Sequence, residues 1–207
     1  MYVNPNTALN LQGGAFTIEC WALRTTGSVA QTLITNYDSG SVGYVITINA
    51  SNKLTVNLSG DAADITGTTN VGINEWFHVA VSGTTGSSVK LFLNGVQEGS
   101  TYTSTTVIDS TRRTSVGAFW YYVDNSILNP LTGYISDLRI LKGTALYTTT
   151  FTPPTAPLTA ITNTSLLLNF TNAGIYDATA KNVLETVGDA KISTAQSKWG
   201  GGSTYLS

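Results

Sequence analysis

The feature that most constrains the fold is a two-residue period of apolar side chains in short runs. Residues 16–22 read Phe-Thr-Ile-Glu-Cys-Trp-Ala, so that Phe16, Ile18 and Cys20 share one face of an extended segment. Further runs occupy 44–48, 54–58, 76–81, 89–93, 96–100, 114–118, 133–141 and 165–170, with weaker ones at 190–193 and 203–206. Because no helical period is sustained, the pattern predicts an all-β protein with a two-sheet antiparallel β-sandwich or jelly roll.

Turn-forming residues predict two of the strand pairings. The dipeptide Asn94-Gly95 joins two runs, and Asn-Gly readily adopts the positive φ angles of a two-residue type I′ turn. A short loop at 49–53 joins two earlier runs, and its length is typical of a β-hairpin. We therefore expect each of these two pairs of strands to be antiparallel.

Length and proline positions predict the domain organisation. A chain of 207 residues suits a single β-sandwich domain, 1–207. Several prolines cluster within 151–160, and proline disfavours the interior of a sheet. We therefore expect a main sandwich over 1–150, a proline-rich connector over 151–160, and strands in 161–207 that complete the sandwich. Only residues 142–147 favour a helical turn.

Low charge excludes two classes of partner. The chain has 10 Lys and Arg, 12 Asp and Glu and a net charge of −2, and charged residues form 11% of the sequence, against roughly 25% in average soluble domains. Such a surface lacks the density of cations that nucleic acids and anionic membranes attract. The sequence has no apolar run of about 18 residues and its first residues do not match a signal peptide, so neither a transmembrane segment nor a signal peptide is expected.

Four segments, in chain order, resemble one family. They are 16–21 (Phe-Thr-Ile-Glu-Cys-Trp), 75–80 (Glu-Trp-Phe-His-Val-Ala), 91–95 (Leu-Phe-Leu-Asn-Gly) and 133–140 (Gly-Tyr-Ile-Ser-Asp-Leu-Arg-Ile). These segments are similar to strands of the laminin G-like domains in the concanavalin A-like lectin/glucanase superfamily. The resemblance covers most of the chain and implies the jelly-roll fold of that superfamily.

Two later stretches narrow the resemblance. Residues 142–154 and 193–201 are similar to modules of structural or tail-associated proteins of marine bacteriophages and of bacterial surface proteins. In those modules the Leu-Leu-Leu stretch and the Lys-aromatic-Gly-Gly stretch open the domain, whereas here they close it. The resemblance therefore implies either a circularly permuted domain or a slice of a tandem array, and we expect Met1 and Ser207 to lie near one another.

The residues that catalysis requires are scarce. Glycoside hydrolases of related folds use two carboxylates roughly 5–9 Å apart, but no glutamate here is followed two residues later by a second acid. His78 is the sole histidine and lies in a predicted strand, and the sole cysteine, Cys20, can form neither an intramolecular disulfide nor a cysteine-based zinc cluster. We expect no enzymatic activity and no catalytic residues, with a divergent glycoside hydrolase as a remote alternative.

Calcium is the one cofactor that the resemblance leaves open, because laminin G-like and legume-lectin-like domains often bind it. The candidate ligands are Asp61 and Asp64, with Asp124 and Asn125 as a second pair, since carboxylate and amide oxygens suit Ca²⁺. Asp and Asn are also ordinary turn formers. We therefore expect no obligatory cofactor, with calcium possible.

Four consecutive aromatic residues at 119–122 form the most unusual local feature. Because side chains alternate along a strand, half of them must leave the core. Flat aromatic rings beside polar side chains suit the apolar faces and hydroxyls of sugars. We predict ligand binding by Trp120, Tyr121, Tyr122, Asp124 and Asn125. The alternative is that Phe119 and Tyr121 pack inward while Trp120 and Tyr122 cover a loop or form a subunit contact.

These observations lead to one functional hypothesis and one rival. The hypothesis is a non-enzymatic, lectin-like adhesion module of a phage virion or bacterial surface protein, located on a virion or outside the cell, whose partner is a glycan or cell-surface polysaccharide. The rival is a structural or decoration module that contacts only neighbouring virion or surface-protein modules. Low charge and abundant Thr and Ser suit both.

Overall fold

The computed structural model describes residues 1–37, 43–58, 63–103, 108–121, 123–171 and 174–207. Within these residues the only helical segment is a 3-10 turn at Thr7–Leu9, and no described helix could cross a bilayer. The strands are β1 (Tyr2–Val3), β2 (Ala15–Arg24), β3 (Gln31–Thr35), β4 (Val45–Ile48), β5 (Lys53–Asn57), β6 (Ile65–Asn70), β7 (Phe77–Thr84), β8 (Ser88–Leu93), β9 (Val96–Tyr102), β10 (Thr114–Val116), β11 (Phe119–Tyr121), β12 (Ser126–Leu128), β13 (Gly133–Lys142), β14 (Thr164–Leu168), β15 (Leu184–Glu185), β16 (Lys191–Ser193) and β17 (Ser203–Leu206).

Two large antiparallel sheets account for most of these strands. The first sheet has the order β15-β1-β10-β3-β4-β5-β6. The second has the order β16-β17-β13-β2-β7-β8-β9, and β14 also pairs with β13. A separate hairpin, β11–β12, lies beside β3. The prediction of an all-β, two-sheet antiparallel sandwich is therefore confirmed.

The core lies between the two sheets and follows the two-residue period. In β2, Phe16, Ile18 and Cys20 are almost fully buried, and opposite them Ile46 and Val56 project from the first sheet into the same cluster. At about 25 cal/mol per Å² of apolar surface, this burial is the main favourable contribution to folding.

Both predicted hairpins are present. In β8–β9, Leu93 pairs with Val96 across Asn94 and Gly95, whose φ angles of 50° and 81° are those of a type I′ turn. A Cβ atom at position 95 would come within 1.9 Å of the Phe151 carbonyl oxygen, so close packing as well as backbone conformation requires glycine. Strands β4 and β5 also pair antiparallel.

The last strands of the chain pair with strands from its first part. Leu166 of β14 lies opposite Ile140, and Tyr205 of β17 lies opposite Tyr134, so β14 and β17 pair with successive parts of β13. Strand β15 pairs with β1 of the other sheet. Met1 and Ser207 line one cavity. The circularly permuted order itself stays a prediction.

Residues 143–161, named the strap here, lie across the outer face of the second sheet. The Tyr147 amide donates to Ser82 Oγ at 3.1 Å, and the Phe151 amide donates to the Gly95 carbonyl at 3.0 Å. The predicted helical turn at 142–147 is wrong, because backbone groups of this segment bond to the neighbouring strands instead of to one another. The proline-rich part is thus a cover for the sheet.

The outer face of β2 is buried as well as its inner face, by the strap over Glu19 and by Trp199 beside Trp21. Trp21 is only 7% exposed on that outer side, where it meets Trp199 edge to face at 5.9 Å. Trp76 precedes β7 and is half-buried. Covering both faces explains why every residue of β2 after Ala15 is buried.

A carboxylate lies under the strap with three donors around it. Glu19 Oε1 accepts from Arg139 Nε at 2.9 Å and Nη2 at 2.5 Å, while Oε2 accepts from Tyr147 OH at 2.9 Å. His78 Nε2 lies 3.2 Å from Oε2, and this nitrogen must carry the hydrogen because a carboxylate only accepts. We call these four residues the Glu19 cluster.

The Glu19 cluster stabilises its own charge. Burial by itself raises the pKa of Glu19, but hydrogen bonding from His78 and the positive charge of Arg139 outweigh burial and hold this pKa below the ordinary value of 4.5. Glu19 and Arg139 are 1% and 5% exposed. A buried charge pair of this kind is costly to break, because the remaining partner is left unpaired.

We expect Glu19→Gln to lower the free energy of unfolding by about 3 kcal/mol, since the Arg139 guanidinium would stay buried without a counter-charge. Urea unfolding measures this loss. The exposed Glu75 provides the control, and Glu75→Gln should change the free energy by less than about 0.5 kcal/mol. A loss below about 1 kcal/mol for Glu19→Gln would contradict the structural role given to the cluster.

The stabilisation by Glu19 should also depend on pH. Because the folded pKa lies below the ordinary 4.5, the contribution is present above pH 4.5 and is lost as the pH falls through the folded pKa. The difference in unfolding free energy between the wild type and Glu19→Gln should therefore narrow from pH 7 towards pH 3. A difference that stays constant or widens over this range refutes the prediction.

Candidate functional site

The β11–β12 hairpin divides the aromatic run between two surfaces. Strand alternation turns Trp120 to one face of the hairpin and Phe119 and Tyr121 to the other. Each face borders a different cavity. Tyr122 lies outside the described residues. The structure therefore does not bring the predicted binding residues together at one surface.

Asp124 and Asn125 form the turn of this hairpin. The Ser126 amide donates to Asp124 Oδ1 at 2.9 Å, and hydrogen bonding from Ser126 holds the pKa of Asp124 below its ordinary value. Asn125 has a φ of 59°, in the left-handed region that asparagine tolerates. Both side chains are exposed. Their local bonds and conformation indicate that they shape the turn, and Asn125 also borders the cavity on the Trp120 side.

The Trp120 cavity has a volume of about 340 Å³ and lies between the hairpin and β1. The guanidinium carbon of Arg113 lies 3.9 Å from the ring centroid of Trp120 and 4.2 Å from that of Tyr2. Arg113 is thus held by two cation–π contacts. Because the guanidinium covers one face of the indole, Trp120 presents less free ring surface than the sequence led us to expect.

The Tyr121 cleft is larger, at about 570 Å³, and lies on the outer face of the first sheet. Its wall consists of Tyr121 and Phe119 from the hairpin together with Tyr37, which follows β3. Its floor is formed by side chains of β3 to β6, including Thr32, Thr47, Thr55, Asn57 and Thr66. The cleft therefore combines an aromatic wall with a polar floor.

The three rings of the wall form a row. The centroids of Tyr37 and Phe119 are 5.6 Å apart, and those of Phe119 and Tyr121 are 6.5 Å apart with the rings 29° from parallel. All three residues are half-buried. Aromatic rings in contact with one another hold their orientation and present apolar surface to a ligand.

The polar floor results from the same alternation that builds the core. In β4 and β5 the inward residues Ile46 and Val56 are buried, and the intervening Thr47 and Thr55 face outward. Thr47 and Thr55 are cross-strand partners, and Thr55 Oγ1 donates to the Thr47 carbonyl at 3.3 Å. The floor groups are hydroxyls and amides carried on paired strands.

Thr32 contributes an unusual hydroxyl at the base of the cleft. Its side chain is fully buried, it lines the cleft, and its Oγ1 has no hydrogen-bond partner among the described residues. A buried hydroxyl without a partner costs free energy, about 1–3 kcal/mol by mutational measures. A ligand hydroxyl at this position would remove that cost.

No charged side chain lines the Tyr121 cleft among the described residues. Lys53 lies on the same strand face as Thr55, but it stands outside the lining and its ammonium donates to the Thr68 carbonyl. The described lining therefore offers hydrogen bonds and apolar contacts without formal charge.

Of the first pair of calcium candidates, the structure describes only Asp64; the second pair, Asp124 and Asn125, forms the hairpin turn. Asp61 lies outside the described residues, and Asp64 Oδ2 accepts from the Leu58 amide at 2.6 Å. Among the described residues no three His, Cys, Asp or Glu side chains gather in a group that could hold a metal ion. Calcium at Asp61 and Asp64 stays a prediction.

The described lining of the Tyr121 cleft lacks the residues that hydrolysis requires. His78 is fully buried in the Glu19 cluster beneath the strap, away from both cavities. Inverting and retaining glycosidases need two acids facing the substrate, and the described part of the Tyr121 cleft has no carboxylate.

Comparison with known proteins identifies relatives of the fold. The family model of the concanavalin A-like lectin/glucanases superfamily matches residues 1–147. No curated protein matches the chain.

Solved structures share the architecture at low sequence identity. A candidate carbohydrate binding protein from Bacteroides ovatus superposes with a TM-score of 0.61 at 13% identity, over 99% of this chain and 55% of that protein. The CBM40 module of the Ruminococcus gnavus IT-sialidase, bound to α2,3-sialyllactose, gives 0.54 at 14% identity, over 70% and 88%. A heptameric SAP-like pentraxin from Limulus polyphemus gives 0.50 at 12% identity, over 68% and 66%. The chain thus spans about half of the Bacteroides protein, and these likenesses establish the fold.

Proposed function

The chain belongs to the concanavalin A-like lectin/glucanases superfamily, and from this premise we propose that it is a non-enzymatic module that binds carbohydrate in the Tyr121 cleft. The observation that carries the proposal is the row of three aromatic rings, Tyr37, Phe119 and Tyr121, beside a floor of threonine and asparagine side chains.

The chemistry of the cleft matches that of a sugar. A pyranose has apolar C–H faces, which pack against aromatic rings, and hydroxyls at its edge, which pair with hydroxyl and amide side chains. The Thr32 hydroxyl, which has no partner within the described part of the chain, points to a ligand that can both donate and accept hydrogen bonds. The volume of about 570 Å³ lies within the usual range for small-ligand sites.

The Trp120 side of the hairpin is the weaker candidate. Arg113 already occupies one face of the Trp120 ring, whereas Tyr121 shares its wall with two further rings. Of the residues predicted from the sequence, we therefore assign sugar contact to Tyr121, and a supporting role in the hairpin turn to Asp124 and Asn125.

The wider context of this binding is also part of the proposal. Fold neighbours described as a carbohydrate binding protein and a sialyllactose-bound module support a glycan partner. We place the module in a phage virion or bacterial surface protein, outside the cell, where it would adhere to a cell-surface polysaccharide. This placement rests on the resemblance of residues 142–154 and 193–201 to such proteins.

We expect Tyr121→Ala to weaken glycan binding at least tenfold, because it removes one ring of the wall. A tenfold change corresponds to about 1.4 kcal/mol, a modest value for an aromatic contact residue. A glycan array identifies a ligand, and titration calorimetry then measures the affinity. Trp120→Ala is the matched control, since Trp120 is the neighbouring residue on the opposite face of the same strand.

Three results of this experiment are decisive. If Tyr121→Ala loses glycan binding and Trp120→Ala keeps it, the result supports the Tyr121 cleft as the binding site. The reverse pattern moves the site to the Trp120 cavity and overturns the assignment. The absence of binding to any glycan on a broad array overturns carbohydrate binding itself.

The variant Thr32→Val shows whether the Thr32 hydroxyl serves ligand binding or the stability of the fold. Valine has nearly the shape of threonine without the hydroxyl, so it removes a buried group that has no partner in the described structure. We expect the unfolding midpoint to stay the same or rise while glycan affinity falls. A lower midpoint with unchanged affinity would show that the hydroxyl serves the fold.

Exposed apolar side chains on the hairpin favour one rival function. Val123, Ile127 and Leu128 are 61%, 50% and 44% exposed. Ile127 lies on the Trp120 side of the hairpin and Leu128 on the Tyr121 side, and exposed apolar surface is what a structural or decoration module would use for protein contacts. In that case Ile127→Ser would abolish association with a neighbouring module in analytical ultracentrifugation, and no glycan would bind.

A further inference from the structure

Resting on the proposed function, we infer that the Tyr121 cleft selects uncharged glycans and rejects those that carry carboxylate or sulfate groups. The inference concerns the class of ligand. It follows from the placement of the ten basic residues of the chain, all of which are described.

An anionic sugar requires a cation or a dense set of oriented donors at its site. Removing a carboxylate from water without a partner costs several kcal/mol, and proteins usually supply arginine because its planar fork bonds both oxygens. The described lining of the cleft contains neither lysine nor arginine. Its hydroxyls and amides match sugar hydroxyls, which donate as well as accept.

Three basic residues lie beside the first sheet, and none of them lines the cleft. The Lys53 ammonium donates to the Thr68 carbonyl. The Arg113 guanidinium lies between the rings of Trp120 and Tyr2 on the opposite side of the hairpin. Arg112 precedes β10, and its carbonyl accepts from Asn36 Nδ2 at 2.8 Å. The described lining of the cleft therefore includes none of these three cations.

The segments that follow Tyr37 and precede Ala63 contain no lysine or arginine in the sequence, and they lie outside the described residues.

Matched pairs of glycans test this selectivity. The wild type is titrated with lactose and sialyllactose, with a β-glucan and its glucuronan, and with a galactan and polygalacturonate. We expect at least one neutral member to bind, with its charged counterpart at least tenfold weaker. The affinity for the neutral member should change less than twofold between 50 mM and 500 mM salt, because no ion pair contributes to it.

The outcomes distinguish this inference from the proposed function. If the wild type binds a charged glycan as well as its neutral counterpart, and Tyr121→Ala abolishes that binding, the result refutes the selectivity but leaves glycan binding in the cleft in place. The absence of binding by both members of every pair, and by a broad array, overturns the proposed function.

A charge-adding variant locates the selectivity in the cleft. Thr47→Lys places an ammonium on the floor and should shift the ratio of charged to neutral binding at least tenfold towards the charged glycan. Thr149→Lys is the control, because Thr149 is exposed on the strap, on the opposite side of the sandwich from the cleft, and the variant adds the same net charge. Equal ratios in the two variants would contradict selection by the cleft.

Discussion

The burial of the Glu19 carboxylate determines which face of the sandwich stays uncovered. An unpaired charge cannot remain in this interior, so Glu19 needs donors, and it receives them from Arg139 on β13, His78 on β7 and Tyr147 on the strap. The strap is thereby fixed across the outer face of the second sheet, where Phe151 stacks on Tyr147 with ring centroids 3.6 Å apart. With that face covered, the outer face of the first sheet is the broad strand surface available for binding. The structural charge and the neutral cleft are thus on opposite sides of one core.

The β11–β12 hairpin converts that open face into a cleft. A flat sheet offers threonine and asparagine side chains but no wall, and the hairpin adds one by packing Phe119 against Tyr37 beside β3. On the other side of the hairpin, Arg113 lies against the ring of Trp120. The aromatic run therefore borders two surfaces, since its alternate residues border the Trp120 cavity on one side and line the cleft on the other.

Sequence periodicity predicted the strands that face the core, because burial between two sheets imposes a period of two on them. It predicted β2, the β4–β5 pairing and the Asn94-Gly95 turn. It gave no sign that the outer face of β2 would also be buried. The strap that covers Glu19 and the Trp199 side chain that packs on Trp21 both lie more than a hundred residues later in the chain. Strand β6 was missed because its Ile-Thr-Gly-Thr-Thr-Asn sequence is rich in turn formers.

The candidate site was predicted only in part. The aromatic run indicated a ligand-binding surface. Thr32, Thr47 and Thr55 were not predicted, because they look like any outward-facing strand residues and form a floor only where four strands lie side by side.

Fold and cleft depend on the same register. Ile46 pairs with Val56 in the core, and Thr47 pairs with Thr55 on the floor, so a slip of one residue between β4 and β5 would exchange apolar for polar side chains on both faces at once. The free energy that resists this slip is the burial of the core. Burial of the core therefore fixes the positions of the floor hydroxyls, although the hydroxyls take no part in it. Groups that are already fixed need little further ordering when a ligand binds. Because the hydrophobic core supplies this rigidity, uncharged groups alone suffice for the recognition of neutral glycans that we propose for the cleft.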